Sequence, residues 1–293
     1  MFPRNDSEHV ADHYDILGDL YLRLWGARLH HGLWETGRES LSEALAAMER
    51  LIVAQAELAP ELKIYDIGCG YGELAQSLAR EWDARVEGWT LSSTQAEEAR
   101  RRVMVMDASA PKPVFHCQDW LEAETERGSA DVIFAIESLS HINEAESFFQ
   151  RAWQSLRNGG RLVIADWWRP EKCRSRISSL LLSSIARSGA VSPFRTMSQA
   201  KTMSSAQGFS LSRELDLTAS VSPTWRVFSR RAWSLLARDP KFRSKVFRLR
   251  DRAPELGLTL YQLRLAYAIG TLRYGLLSLK KESQRTHPWD ETG

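Results

Sequence analysis

The segment IYDIGCGYGELAQSLA, residues 64–79, constrains the fold more than any other part of this chain. Its apolar beginning is typical of a buried strand, and the apolar spacing after Gly72 predicts an amphipathic helix. Gly68, Gly70 and Gly72 separate the two and allow the backbone to turn sharply and to approach a ligand closely. The segment therefore predicts a strand, a turn and a helix, in which the turn either holds a ligand or only lets the helix pack on the sheet.

Strand-like and helix-like segments alternate through residues 63–168. We expect strands at 63–68, 84–90, 113–120, 130–138 and 160–168, and helices at 72–82, 92–106 and 143–156. Strands that alternate with helices of this length form βαβ units, which build a parallel sheet covered on both faces. In such sheets ligands bind at the carboxyl ends of the strands, so we expect the site there.

Further segments flank this alternation. The pattern predicts helices at 15–29, 40–58, 174–191, 197–208, 222–239 and 254–270, and strands at 209–218 and 273–281. We expect an N-terminal helical lid over 1–57, a ligand-binding core over 58–170, and substrate-cap helices with the last strands over 171–293. The expected fold class is therefore α/β: a Rossmann-like, doubly wound, mostly parallel seven-stranded sheet with a helical cap inserted in its C-terminal part.

The composition excludes several classes of protein. The chain has 293 residues, a net charge of +2 and 26% charged residues, which is ordinary for a globular protein and not typical of a dedicated nucleic-acid binder. Cys69, Cys117 and Cys173 have no C-x-x-C spacing, so neither a zinc site nor a disulfide framework is indicated. No uninterrupted apolar run reaches the roughly 18 residues of a membrane span. We expect a cytoplasmic protein, a monomer or a homodimer, with neither a nucleic-acid partner nor a membrane span.

The glycine spacing argues against a nicotinamide cofactor. The dinucleotide fingerprint G-x-G-x-x-G would place its third glycine at Glu73, and Thr90 stands near where its ribose-binding acid would follow. The order D-x-G-x-G-x-G, with Asp66 at the strand end, instead resembles motif I of class I S-adenosylmethionine-dependent methyltransferases.

Four further segments carry the same resemblance. GWTLSSTQ, residues 88–95, resembles the G-x-T-L-S-x-x-Q segment of the subgroup that includes tocopherol methyltransferases and the cyclopropane and mycolic acid synthases. HCQDW, residues 116–120, is similar to that family's adenine-binding segment, and LRNGGRLVIADWW to its fifth strand. The N-terminal stretch 13–34 resembles the subgroup's lid, which closes over the methionine end of the cofactor.

The resemblance implies S-adenosylmethionine as the cofactor. In the family, the glycine turn lies against the amino-acid and ribose parts, an aspartate meets the amino group, and a glutamine amide holds the ribose hydroxyls. An acid after the third strand accepts from the adenine amine. The residues that the resemblance assigns to the cofactor are Tyr14, Asp66, Gly68, Cys69, Gly70, Thr90, Leu91, Gln95, Asp119 and Trp120.

The segment AIESLSHI, residues 135–142, resembles the E-S-x-x-H-(I/M) segment of natural-product O-methyltransferases. The resemblance implies that His141 is a general base or substrate orienter, that Asp166 is its partner, and that Glu137 contacts the cofactor or the substrate. An imidazole suits the role because it is largely neutral at pH 7. Methyl transfer from a sulfonium needs alignment and proton removal, so no metal is expected.

The acceptor is less specified by the sequence. An apolar cap is indicated by Trp167, Trp168, the Leu/Ile-rich segment 177–191 and the helices after 222. We therefore expect a bulky hydrophobic or aromatic natural product as the acceptor, methylated on a hydroxyl oxygen. Three alternatives stay open. They are a C-methyltransferase of a prenyl or quinol substrate, a non-catalytic cofactor-binding scaffold and, more remotely, a nicotinamide oxidoreductase. Basic residues that would meet a diphosphate or carboxylate, if they are not merely solvated, are Arg226, Arg230 and Arg231.

Overall fold

Seven strands form one sheet in the computed structural model, which describes residues 6–172, 175–249 and 256–282. The strands are β1 (Lys63–Ile67), β2 (Arg85–Thr90), β3 (Val114–Cys117), β4 (Ala130–Ile136), β5 (Leu156–Trp168), β6 (Phe209–Asp216) and β7 (Arg273–Lys281). Their order is β3-β2-β1-β4-β5-β7-β6, and only β7 runs antiparallel to its neighbours among these strands. The predicted fold class is confirmed.

Helices connect the strands on both faces of the sheet. They are α1 (Asp6–Leu24), α2 (Leu41–Ala54), α3 (Glu73–Trp82), α4 (Ser93–Met104), α5 (Ala145–Ser155), α6 (Arg176–Ser188), α7 (Met197–Ala206), α8 (Thr218–Val221), α9 (Pro223–Arg238), α10 (Pro240–Leu249) and α11 (Leu256–Ala268). The predicted cap is inserted at two places, because α6 and α7 separate β5 from β6 whereas α8 to α11 separate β6 from β7. None of the described helices is long and apolar enough to cross a membrane.

Two apolar cores lie on opposite faces of the sheet. Along β4, Val132 and Phe134 enter one core while Ile133 and Ala135 enter the other, because successive strand residues point to opposite faces. The first core also receives Leu17 of α1 and, from other elements, Met48, Leu181, Phe228 and Leu263. The N-terminal helices and the cap therefore pack into the same core as the sheet, above the carboxyl ends of the strands. The predicted boundaries at residues 57 and 170 stay predictions.

The element bounds differ from the sequence expectations at several places. Helix α1 ends at Leu24 rather than at residue 29, because Gly26 adopts a positive φ of 84° and the chain continues irregularly to residue 40. Strand β5 begins at Leu156, so the expected turn around Gly159 (φ 78°) is an irregularity within the strand. The pattern missed α10, and Cys173 lies outside the described residues.

Candidate active site

Two cavities meet above the carboxyl ends of the central strands. One, which we call the loop cavity, lies among the glycine turn, the ends of β2 to β4 and helix α1, with a volume of about 120 Å³. The other, the cap cavity, lies beneath α1, α9, α10 and α11 and has a volume of about 480 Å³. Four residues line both cavities: Tyr14, Leu29, Glu137 and His141.

Most of the residues assigned to the cofactor are brought together in the loop cavity. Those that line it are Tyr14, Gly68, Gly70, Thr90, Leu91, Gln95, Asp119 and Trp120. Asp66 and Cys69 are not part of this lining. Both side chains are buried, and burial raises the pKa of each, that of Asp66 to about 7. Nearby Glu49 raises the pKa of Asp66 further, whereas His30 opposes it.

The glycine turn has three residues in the left-handed region. A Cβ on Gly68 (φ 78°) would lie 2.4 Å from the Cβ of Ser138, and one on Gly72 (φ 75°) would lie 2.4 Å from the ring of Phe115. A Cβ on Gly70 (φ 53°) would meet nothing within 4 Å, although this residue lines the loop cavity. Gly68 and Gly72 are thus required by packing, whereas Gly70 leaves open backbone facing a possible ligand.

The polar residues of the loop cavity are held in defined orientations. The Thr90 hydroxyl donates to Oε1 of Gln95 over 2.7 Å. This hydrogen bond fixes the orientation of the amide group of the buried glutamine. The carboxylate of Asp119 accepts from the Ser7 hydroxyl over 2.6 Å and from the Leu121 N–H over 2.9 Å. Asp119 therefore ties the start of α1 over the cavity.

Unpartnered polar atoms mark where a ligand would complete the loop cavity. Within the described residues, the Ser138 hydroxyl and the Trp120 indole N–H are buried without a hydrogen-bond partner, and both residues line the cavity. A buried polar atom without a partner costs free energy, so such atoms point to a missing group. An adenosine-containing ligand fits this set, which combines an open glycine backbone, an oriented amide, a carboxylate and indole rings.

His141 presents a free-base nitrogen where the cavities meet. Its Nδ1 lies 2.8 Å from the Ala190 carbonyl oxygen, which can only accept, so Nδ1 carries the proton. Nε2 is then unprotonated and accepts from the Tyr14 hydroxyl over 3.0 Å. Burial lowers the pKa of His141, so the ring is neutral at pH 7.

Asp166 is not the hydrogen-bond partner of His141, which corrects the sequence expectation. Its carboxylate accepts from the backbone N–H groups of Ser140 at 2.8 Å and Trp167 at 2.6 Å. Burial raises the pKa of Asp166 to about 7. Because residues 139–141 form a tight turn, Asp166 anchors the turn that carries His141.

Glu137 is the centre of a buried polar cluster. Its Oε1 accepts from the backbone N–H of His31 over 2.6 Å, from Nδ1 of His31 over 2.8 Å and from the Tyr274 hydroxyl over 3.0 Å. The Trp225 indole N–H lies 3.0 Å from Nε2 of His31. Burial alone would raise the pKa of Glu137, but His31, which donates to it, and the nearby His30 hold this pKa below its ordinary value.

The cluster contains residues that sequence reasoning missed. His31 and Tyr274 are 243 positions apart and were not assigned a role, although His31 belongs to the N-terminal stretch that carries the resemblance. The backbone of Glu137 has a positive φ of 51°, which is uncommon for a residue with a side chain. The carboxylate is therefore held in place by three donors at a strained position beside both cavities.

The cap cavity is apolar and uncharged apart from the edge at Glu137. Aromatic and aliphatic side chains dominate its lining: Tyr14, Leu20, Tyr21, Leu24, Trp25, Trp167, Trp225, Leu236 and Phe242. Burial, aided by the neighbouring His141, lowers the pKa of His13 to about 3, so this ring is neutral as well. Of the described residues, no lysine or arginine lines the cavity.

Two sequence expectations about the cap are resolved by this lining. Arg226, Arg230 and Arg231 are exposed and do not line the cap cavity. Trp167 lines it, whereas Trp168 is buried in the core and donates to the Gly275 carbonyl. Within the described residues, no group of three or more His, Cys, Asp or Glu side chains is arranged to hold a metal ion.

Comparisons with known proteins agree with this architecture. A 27-O-demethylrifamycin SV methyltransferase of Amycolatopsis mediterranei (strain S699) is 35% identical over 158 residues, which are 54% of this chain and 58% of that protein. Among solved structures, the cyclopropane synthase MmaA2 from Mycobacterium tuberculosis superposes with a TM-score of 0.84 at 20% identity, over 96% of this chain and 100% of that one. The [4+2]-cyclase SpnF superposes with a TM-score of 0.73 at 21% identity, over 94% and 96% of the two chains.

Sequence identity and coverage determine what each of these matches shows. At about 20% identity, the likeness to these two structures shows only the fold, which a cyclopropane synthase and a [4+2]-cyclase share. The matched segment covers less than two thirds of the rifamycin relative. By contrast, the model of the family described as mycolic acid cyclopropane synthetase matches residues 3–233, well over half of the chain. The chain therefore belongs to the mycolic acid cyclopropane synthetase family and has the fold of class I S-adenosylmethionine-dependent methyltransferases.

Proposed function

We propose that this protein transfers a methyl group from S-adenosylmethionine to a hydroxyl oxygen of a bulky, uncharged, hydrophobic small molecule, with His141 as general base. One observation carries the proposal. A neutral imidazole presents its unprotonated nitrogen at the junction of a polar cavity and a large apolar one. A hydroxyl that enters from the cap cavity would meet this nitrogen beside the loop cavity.

The loop cavity is the proposed cofactor site. Gly70 would offer open backbone to the amino-acid part, the Gln95 amide would meet the ribose hydroxyls, and Asp119 would accept from the adenine amine. When bound, the cofactor supplies an electrophilic methyl group. Asp66 lies outside this lining, but its buried Oδ2 has no hydrogen-bond partner among the described residues, so we keep it as a proposed contact of the cofactor's amino group.

His141 has the geometry of a base whose tautomer is held by its surroundings. The Ala190 carbonyl accepts from Nδ1 and would also stabilise the imidazolium that forms when Nε2 takes a proton. The Tyr14 hydroxyl donates to Nε2. The acceptor hydroxyl therefore has to replace Tyr14 as the donor before its proton can be transferred.

The cap cavity favours an uncharged acceptor. A diphosphate or carboxylate buried there would find no lysine or arginine among the described lining residues, and an unpaired buried anion is strongly unfavourable. Glu137, the base that carbon methylation of a prenyl substrate would use, is already engaged by His31 and Tyr274. Both points favour oxygen methylation over the prenyl alternative.

Deuterated cofactor provides the test. The purified chain is incubated with methyl-deuterated S-adenosylmethionine and organic extracts of bacteria, and mass spectrometry searches for products heavier by one labelled methyl group. A panel of polycyclic alcohols is compared with geranyl diphosphate as a charged control. Labelled ethers from neutral acceptors, lost in His141→Ala, support the proposal. Transfer to the diphosphate alone, or S-adenosylhomocysteine binding without any transfer, contradicts it.

A further inference from the structure

An apolar stripe runs along the outer side of α11. Leu258, Tyr261, Leu265 and, just past the helix end, Ile269 recur at helical spacing and are between 48% and 62% exposed. The opposite side of the helix buries Leu263, Ala266 and Tyr267 in the core. Helix α11 is therefore apolar on both sides, one buried in the core and the other largely exposed.

Neighbouring helices extend the stripe into a surface. Gln262 of α11 donates to Ser184 of α6 over 2.9 Å, so the two helices lie side by side. The Trp233 indole of α9 donates to the Tyr261 hydroxyl over 3.2 Å, which joins α9 to the other edge. We call this the α11 surface; its exposed apolar members are Ile177, Leu180, Trp233, Leu258, Tyr261, Leu265 and Ile269.

Basic residues border the α11 surface. Residues 223–249, which form α9 and α10, contain eight lysines and arginines and one acidic residue, Asp239. Arg226 and Arg230 stand seven and three positions before Trp233 and so share its side of α9, and Arg264 precedes Leu265. All three arginines are exposed. The negative surface of an anionic membrane attracts such basic side chains, while the exposed apolar residues between them can enter its headgroup region.

The cap cavity opens within this surface. Trp233 and Tyr261 are both half-exposed or more and both line the cavity. An apolar molecule could therefore pass between a hydrophobic phase and the cavity without crossing water. An apolar surface of this extent around a cavity entrance marks an interaction site rather than scattered exposed residues.

We propose that the α11 surface docks this protein on the surface of an anionic phospholipid bilayer, with the entrance of the cap cavity against the lipid. Charge favours the anionic bilayer over a second copy as the occupant, because a second copy would present a surface bordered by the same basic residues. The proposal rests on the surface alone and holds whether or not the transferred group is a methyl.

Vesicle cosedimentation of the full chain tests the proposal. Vesicles of phosphatidylcholine alone are compared with vesicles that also contain phosphatidylglycerol, at low and high salt. We expect binding to the anionic vesicles that weakens as salt is added. The double variant Leu258→Ser/Leu265→Ser should reduce binding at least about tenfold. The double variant Arg226→Gln/Arg230→Gln should reduce it about fivefold per arginine and remove most of the salt dependence.

A control double variant tests whether the loss of any exposed apolar area weakens binding to the vesicles. Met104→Ser/Val105→Ser removes two exposed apolar side chains at the end of α4 and should leave binding unchanged. Failure of the native chain to bind anionic vesicles, or equal binding by the α11 and control variants, would overturn the proposal. So would a dimer in sedimentation velocity that the α11 variant dissociates, because the surface would then be a contact between copies.

Discussion

The Tyr14 hydroxyl lies 3.0 Å from Nε2 of His141, although 127 positions separate the two residues in the chain. Since Nδ1 of His141 donates to the Ala190 carbonyl, Tyr14 must donate to the nitrogen that would act as base. Helix α1 therefore lines both cavities and also supplies a hydrogen bond to the imidazole of His141. Access of an acceptor to the base is coupled to a residue of the N-terminal helix.

Replacing Tyr14 by phenylalanine should raise the pKa of His141. The Tyr14 hydroxyl stabilises the neutral ring by donating to it, and a hydrogen bond of about 1 kcal/mol corresponds to somewhat under one pH unit. NMR titration of the His141 ring protons measures the change. Tyr71→Phe is the matched control, because its hydroxyl contacts the Gly18 carbonyl of α1 instead. Equal pKa values in both variants would contradict the assigned hydrogen bond.

His141→Ala should reduce turnover by a factor of about 10² to 10⁴, the range expected for a general base, and leave S-adenosylhomocysteine affinity nearly unchanged. Because burial lowers the pKa of this histidine, the native enzyme should stay active at pH 6.5. Its kcat/KM should fall only as the pH drops through the lowered pKa and the ring takes up a proton. Calorimetry and a pH–rate profile are the measurements. An acid limb above pH 6.5, or unchanged turnover in the variant, would remove His141 from this role.

Gly70→Ala should weaken S-adenosylhomocysteine binding while the fold is retained. The added Cβ meets no protein atom within 4 Å but occupies space at the loop cavity. The positive φ costs about 1 kcal/mol of stability. Gly37→Ala carries the same kind of strain away from the cavity and serves as control, since Gly37 has a φ of 74° and equally open surroundings.

The same calorimetric titration, combined with thermal denaturation, separates binding from folding. Gly68→Ala should lower the melting temperature well beyond Gly70→Ala, because its Cβ collides with Ser138. If Gly70→Ala and Gly37→Ala bind S-adenosylhomocysteine equally well, the cavity is not the cofactor site.

Glu137→Ala should destabilise the fold by roughly 3 kcal/mol, because His31 and Tyr274 would lose the carboxylate that they share in a buried place. Tyr274→Phe removes one donor of the three and should cost only about 1 kcal/mol. Urea denaturation gives both values. Comparable losses in the two variants would show that the carboxylate is not the centre of the cluster.

Asp66→Asn should stabilise the protein at alkaline pH. Burial raises the pKa of Asp66 to about 7 in the folded state, whereas in the unfolded chain it is about 4. The native protein should therefore lose stability from this group as the pH rises from about 4 to 7, because the unfolded chain releases its proton first. Asparagine imitates the protonated acid, so the advantage of the variant should grow over this window and stay constant above it. Denaturation at pH 5 and pH 8 measures this, and an equal difference at both values would contradict the buried carboxyl.

The local patterns of the sequence predicted the sheet well for a physical reason. The strands along 63–168 alternate with helices whose apolar spacing and turn glycines are local properties. The resemblance carried by Gly68, Gly70, Gln95 and Asp119 likewise rests on short segments at strand ends, and parallel strands bring those ends together. These residues do line one cavity.

Local patterns were less informative where several distant segments meet. Asp166 was expected to pair with His141. Spacing shows that an acid stands at a strand end but not which way its side chain points after packing. In the structure, Asp166 instead anchors the turn before His141.

The sequence by itself determined the α/β sheet, the glycine turn and the strand-end residues, because each depends on a few neighbouring positions. Only the tertiary structure decided what surrounds His141 and Glu137. Tyr14, His31, Ala190 and Tyr274 come from the N-terminal helix, its following loop, the first cap insertion and the last strand. Their contacts depend on how helices and strands more than two hundred positions apart in the sequence pack together, and local periodicity carries no information about that packing.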